Sequence, residues 1–358
     1  ADAARFLNIP SIDHVEKDPR RTDFTATMGW TGAIGSAPGG VFDLWIEFWW
    51  AYLFAVFAVG WSFGRAYRKA MARGGFWLAL YALMTVGMTL IYGTLRTLNM
   101  ALGAMVLVGG YVSWMLFSGL GWGPLAGLAG AAAVTFAFGV VIQQIAVRPL
   151  IGKTGVDFEM TAFISTFAVA IVFANVALEI YGARNKAVPP VVEGRLHLIE
   201  GVSVSWHQVV MAGVAIVMLV ALGIFLSKTR YGLGISAVAQ QLDAARLMGI
   251  PVQRVYNLTM GVSSALAGIA GVLLASVFFV SPNAGDLPLL KALIVAIFGG
   301  LGSVRGTIVA AYIIGLLEAM ISLYFGVKWS LPVLFVVIMI VLLIRPTGLF
   351  GKPEEARL

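Results

Sequence analysis

The sequence predicts an all-α polytopic membrane protein of about ten transmembrane or partly spanning helices with Gly-rich breaks between them. Of its 358 residues, 60% are hydrophobic and only 11% are charged, and the mean hydropathy is +0.92. A soluble core cannot hide that much apolar surface. The apolar residues also fall in separate runs, near 44–63, 76–95, 99–118, 124–146, 159–181, 207–227, 256–280, 289–301, 306–325 and 331–345. Most approach the roughly 20 residues that cross a bilayer. Two fall short, 289–301 and 331–345, and the first runs straight into the break GGLGSVRG.

Taken in order, residues 1–43 form a polar N-terminal segment containing the Gly/Pro-rich GAIGSAPGG and no apolar signal-peptide core. Residues 44–75 add one transmembrane helix and a basic loop with Arg65, Arg68, Lys69 and Arg73. The other spans lie within 76–351, and 352–358 is a cytoplasmic tail. The positive-inside rule allows two arrangements. In one, all ten runs cross and both termini are cytoplasmic; in the other, the N-terminus is exterior and one segment among 76–146 is re-entrant. Both put 227–255 and the C-terminus in the cytoplasm.

Residues 227–255, SKTRYGLGISAVAQQLDAARLMGIPVQRV, are a polar island between the runs His207–Leu226 and Tyr256–Val280. Lys228, Arg230, Arg246 and Arg254 face a single acid, Asp243, while Ile235, Val238, Leu242 and Ala245 recur at helical spacing. Gly249 and Pro251 end that helix. A basic amphipathic helix between two spans either docks a partner or lies on lipid.

In lipid, helix breaks cluster at cavities and pathways, where protein or water satisfies the freed backbone. The breaks at Arg96–Gly103 and Gly299–Gly306 lie in opposite halves of the chain. They are candidates for corresponding parts of an inverted repeat lining a translocation path, with Thr97, Asn99, Gly103, Gly299, Gly300, Gly302 and Ser303 as its residues. Tight turns with GxxxG-type packing are the competing reading, and packing is the simpler role for Gly261, Gly268 and Gly271. Arg96, Arg148 and Arg345 read as interfacial anchors. Glu47, Glu159, Glu179 and Glu318, near segment ends, read the same way.

Enzyme chemistry finds little purchase in this chain. Cysteine is absent, and His14, His197 and His207 are too scattered for a metal or acid/base constellation. Gly152-Lys153-Thr154 ends like a P-loop, but Val147 stands where the phosphate-cradling glycine is needed. Gly300–Gly306 lacks the GxGxxG spacing of a dinucleotide turn. The net charge of +7 suits loops anchored at anionic lipid rather than nucleic acid. No cofactor is expected in the chain itself.

Four stretches resemble the permeases of branched-chain amino-acid ABC importers, of the LivH type. They are residues 81–111, the stretch DAARLMGIPVQRVYNLTMGVSSALAGIAGVL, residues 289–320, and IRPTGLFG at 344–351. The island is similar to the EAA-type coupling loop of such permeases, with Asp243 where Glu is usual. Asn99-Met100-Ala101-Leu102-Gly103 lacks the His found in the family's joining motif.

The resemblance implies that 76–351 is a permease core in the bacterial inner membrane. Its ATPase-coupling residues would be Asp243, Ala244, Ala245, Arg246, Leu247, Gly249 and Ile250. Implied partners are a LivM-type permease, two cytoplasmic ATPases holding ATP and Mg, and an extracytoplasmic solute-binding protein met by the loop 182–206. The cargo would be a branched-chain amino acid, urea, a short amide or an aromatic acid. A self-contained secondary carrier or channel is the alternative. It would need intramembrane carboxylates or a polar pore ring, and the sequence displays neither.

Overall fold

A computed structural model describes residues 80–121, 124–152, 157–188, 194–199 and 202–351. The first predicted span, 44–63, with Glu47, His14, the segment 1–43, the basic loop and the tail 352–358 lie outside the described residues. Within them the helices are α1 (Leu80–Leu95), α2 (Ala101–Leu120), α3 (Pro124–Ile142), α4 (Phe158–Tyr181) and α5 (Trp206–Lys228). Then come α6 (Arg230–Gln240), α7 (Leu242–Leu247), α8 (Val252–Val277), α9 (Asp286–Gly299), α10 (Val304–Tyr324) and α11 (Ser330–Ile344). Every predicted run from 76–95 onward falls on one of these helices. Among the described residues, seven helical segments are long and apolar enough to cross a membrane.

Local chemistry sets several boundaries. Asp157 caps α4 by accepting from the N–H groups of Glu159 and Met160, and Ser303 caps α10 by accepting from Gly306. The α2 segment of 20 residues and the 25-residue stretch Ala126–Leu150 are each long and apolar enough to cross. Of the two runs expected to fall short, 331–345 belongs to an 18-residue segment, Val327–Ile344, long enough to cross, whereas the 14 residues of α9 cover about 21 Å against a hydrocarbon core of about 30 Å. Just before its start, Gly285 packs on Gly103 of α2.

The centre of the bundle is α8. Of its membrane-length window 78% is buried, against 17% for α4, α5 and α11, which line the periphery. Small residues permit that burial. A Cβ at Gly271 would overlap the Val106 carbonyl of α2, and one at Gly268 would overlap Thr135 of α3. Gly261 packs on Phe136, so the packing role expected of these three glycines is the one they have.

Two ends can be distinguished by contact. At one, Gly93 of α1 lies against Gly302 and Ala239 of α6, and Gly234 of α6 lies against Ile250 and Val255. The other end carries the short ladder β1 (Lys186–Ala187) with β4 (Phe279–Val280) and the hairpin β2 (Arg195–Ile199) with β3 (Val202–Ser205).

Candidate coupling surface and polar interior

The polar island is two helices, not the single one its periodicity predicts. Gln241 is extended (φ −152°, ψ 108°) and separates α6 from α7. Its carbonyl accepts from the Ala245 N–H at 3.1 Å, so one residue ends the first helix and starts the second. The predicted apolar stripe survives the bend: Ile235, Val238 and Ala245 are buried and Leu242 is half-buried. Thr229 caps α6 by accepting from Gly232 N–H at 3.0 Å. At the far end of α7, Gly249 takes φ +75°, Ile250 N–H reaches the Ala245 carbonyl and Gly249 N–H that of Arg246. That pair of bonds is a Schellman termination, which requires the left-handed residue glycine supplies.

Of the residues expected to couple, Asp243, Arg246, Leu247 and Gly249 are exposed, Ala244 and Ile250 are half-buried, and Ala245 pins α7 to the bundle. Arg246 Nη1 lies 3.8 Å from Asp243 Oδ1, an exposed pair that contributes little to stability. Most prominent are Leu247, 89% exposed, and Met248, 82% exposed, two apolar side chains at the tip of a basic segment. Met248 escaped sequence reasoning because its neighbours carry the charge and the turn.

The residues expected to line a path divide into two groups. Thr97 and Asn99 are buried. Asn99 Oδ1 accepts from Ala101 N–H at 2.9 Å, which starts α2, and its Nδ2 lies 3.5 Å from Met260 Sδ on α8. Gly103 packs on Leu289 and Gly285. Elsewhere, Gly299 and Gly300 lie under the C-terminal segment: Phe350 N–H donates to the Gly299 carbonyl at 3.2 Å and Leu349 N–H to that of Phe298 at 2.9 Å. Gly302 is exposed and meets α1 through Gly93, while Ser303 is taken up in capping α10. The two breaks are not joined into one lining.

Glu318 is not an interfacial anchor. It is 6% exposed on α10 and ion-paired with Lys291 of α9, whose Nζ also donates to the Tyr81 hydroxyl of α1 at 2.9 Å. An intramembrane carboxylate is therefore present, already matched by a cation from another helix. Pairing across 27 residues leaves no local mark in sequence. By contrast, Glu159 and Glu179 are exposed near the ends of α4, and Arg96, Arg148 and Arg345 are exposed beside helix ends. His207 sits buried in the first turn of α5 rather than in a solvated loop.

A bundle of membrane-length helices with buried hydroxyls and an exposed helical tip defines a multi-pass membrane protein. Its sequence matches, over residues 70–343, the family described as branched-chain amino acid transport system / permease component, and the chain belongs to that family. It is 32% identical over 287 residues to the high-affinity branched-chain amino acid transport system permease protein LivH of Escherichia coli K12. That match covers 76% of this chain and 92% of the relative. BraD, the corresponding permease protein of Pseudomonas aeruginosa, gives the same identity and coverage. A probable LivH of Methanocaldococcus jannaschii is 30% identical over 289 residues, covering 76% and 89%. These relatives are permease components of transport systems, so the chain is one component among several.

Proposed function

We propose that this chain is a translocation subunit of a binding-protein-dependent ABC importer, carrying branched-chain amino acids across a bacterial inner membrane. Family membership supports the class, and the names of the relatives support the cargo. The observation that carries the coupling role is the α6–α7 tip. Leu247 and Met248 project almost fully from a basic helical segment that Ala245, Ile235 and Val238 fasten to the bundle. Such a tip suits insertion into a groove on another protein better than free solution.

Two cytoplasmic ATPases would receive it and supply ATP and Mg. A LivM-type permease would complete the membrane pair. The opposite end, with 182–206 and its short strands, would face the extracytoplasmic solute-binding protein. Residues 76–351 form the permease core in this reading, with 44–75 as an added helix and loop.

The test is reconstitution with the partner subunits and binding protein in liposomes. Leucine uptake should require ATP and the binding protein. Gly249→Val, strained at φ +75°, and Arg246→Glu should each lower leucine-stimulated ATPase activity and uptake together by about tenfold, equal to about 1.4 kcal/mol of lost coupling. Assembled complexes that transport normally with both substitutions would overturn the coupling assignment.

A further inference from the structure

Four polar side chains at the centre of the bundle have no hydrogen-bond partner among the described residues. They are the amide of Gln143, unpaired at both Oε1 and Nε2, and the hydroxyls of Thr259, Ser263 and Ser264. None is more than 1% exposed. Other hydroxyls in the same bundle bond to their own helix: Thr94 to the Leu90 carbonyl, Thr135 to that of Ala131 and Thr307 to that of Ser303. Thr259, Ser263 and Ser264 also have a carbonyl four residues back in α8, yet do not use it. Burying unpaired polar groups is unfavourable, and inside a bilayer bulk water does not relieve it.

The placement of the four is ordered. Ser264 directs its hydroxyl at Gly139 of α3, and Gln143 follows one turn later on that helix, where the α-helix widens into a π turn over Gln143–Val147. Ser263 packs on Gly87 of α1, and Thr259 lies one turn before it in α8. Thus α8 presents the Ser264 hydroxyl toward α3 and lays Ser263 against α1, each at a glycine of the facing helix. Met260, between them, receives Asn99 from the break before α2. π turns recur at functional sites because they re-aim a side chain at small backbone cost.

We propose that Gln143, Thr259, Ser263 and Ser264 line the surface that contacts the transported solute, uncovered when α1 and α3 separate from α8. The inference rests on the permease reading above and deepens it by naming the contact residues. All four groups are uncharged, and together they both donate and accept hydrogen bonds. They suit a solute of zero net charge that carries both kinds of group, as a zwitterionic amino acid does. Apolar neighbours such as Met260 and Ile142 suit an aliphatic side chain.

Because the natural chain has no cysteine, single-cysteine variants report directly on access. Thr259→Cys and Ser264→Cys are compared with Thr307→Cys, a buried position on α10 whose hydroxyl is satisfied, in the complete importer in liposomes. The probe is 2-aminoethyl methanethiosulfonate, applied with and without ATP and with and without leucine. During ATP turnover the two α8 cysteines should react about tenfold or more faster than the cysteine at 307, a difference of about 1.4 kcal/mol in accessibility, and saturating leucine should slow them. Equal, slow labelling of all three in every nucleotide state, with leucine uptake intact, would overturn the contact surface and leave the permease reading standing. An unsubstituted importer that takes up no leucine would overturn the cargo reading instead, while the labelling ratio still decides whether the surface opens.

Discussion

The charges that join α9 to α10 have the clearest energetic signature of any single residues here. Lys291 pairs with one carboxylate oxygen of Glu318 in a setting that would exact a large desolvation cost from either charge alone. Lys291→Met should therefore destabilise the protein by about 3 to 5 kcal/mol, because it strands the Glu318 carboxylate. Glu318→Leu should do the same to the ammonium. The double variant should recover most of the loss, since an apolar pair removes both charges, and thermal unfolding of the purified protein in detergent reads all three. Additive losses in the double variant would show that the two side chains act separately. Backbone contact at glycine is equally residue-specific. Gly271→Ala would place a methyl group into the Val106 carbonyl, which belongs to helix backbone and cannot swing aside. A loss of about 1 to 3 kcal/mol is expected by the same measurement.

At the scale of elements, hydropathy made most of the helices legible because a membrane imposes length and apolarity together. The runs 99–118 and 159–181 land within a few residues of α2 and α4, and the brevity of 289–301 already marks α9 as unable to cross. The α6–α7 segment was legible from charge and glycine: Gly249 does terminate α7, and the stripe from Ile235 to Ala245 does face inward. What escaped were features made by backbone or by distant partners. Gln241 repeats the Gln240 before it, which stays helical, so residue type does not distinguish the one that divides the island. Gly299 and Gly300 signal a break in sequence, but their burial comes from backbone bonds to Leu349 and Phe350, which leave no side-chain pattern. The cap at Thr229 tests how independently α6 stands. Thr229→Ala removes the acceptor for Gly232 N–H and should cost about 1 kcal/mol, seen as faster amide exchange confined to the first turn of α6.

Across the whole molecule, the exposed α6–α7 tip is connected to the interior by a short series of contacts. Ala239 of α6 meets Gly93 of α1, and Gly93 also meets Gly302 at the break before α10. One turn away, the Thr89 and Thr307 hydroxyls join α1 to α10 at 2.9 Å. Displacement of α6–α7 by a partner would thus press on α1, the helix that covers Ser263. A disulfide tests whether that contact must change for transport to occur. A Cβ at position 93 lies 3.8 Å from Ala239 Cβ, the mean spacing of Cβ atoms across a disulfide. Gly93→Cys with Ala239→Cys should therefore crosslink within the chain on mild oxidation, with no native cysteine to compete. The crosslinked importer should lose ATP-driven leucine uptake and regain it on treatment with dithiothreitol, while each single variant remains insensitive to oxidation. Full transport through a quantitatively formed crosslink would mean that α6 and α1 move as one body, and that ATP-driven motion reaches the interior by another route.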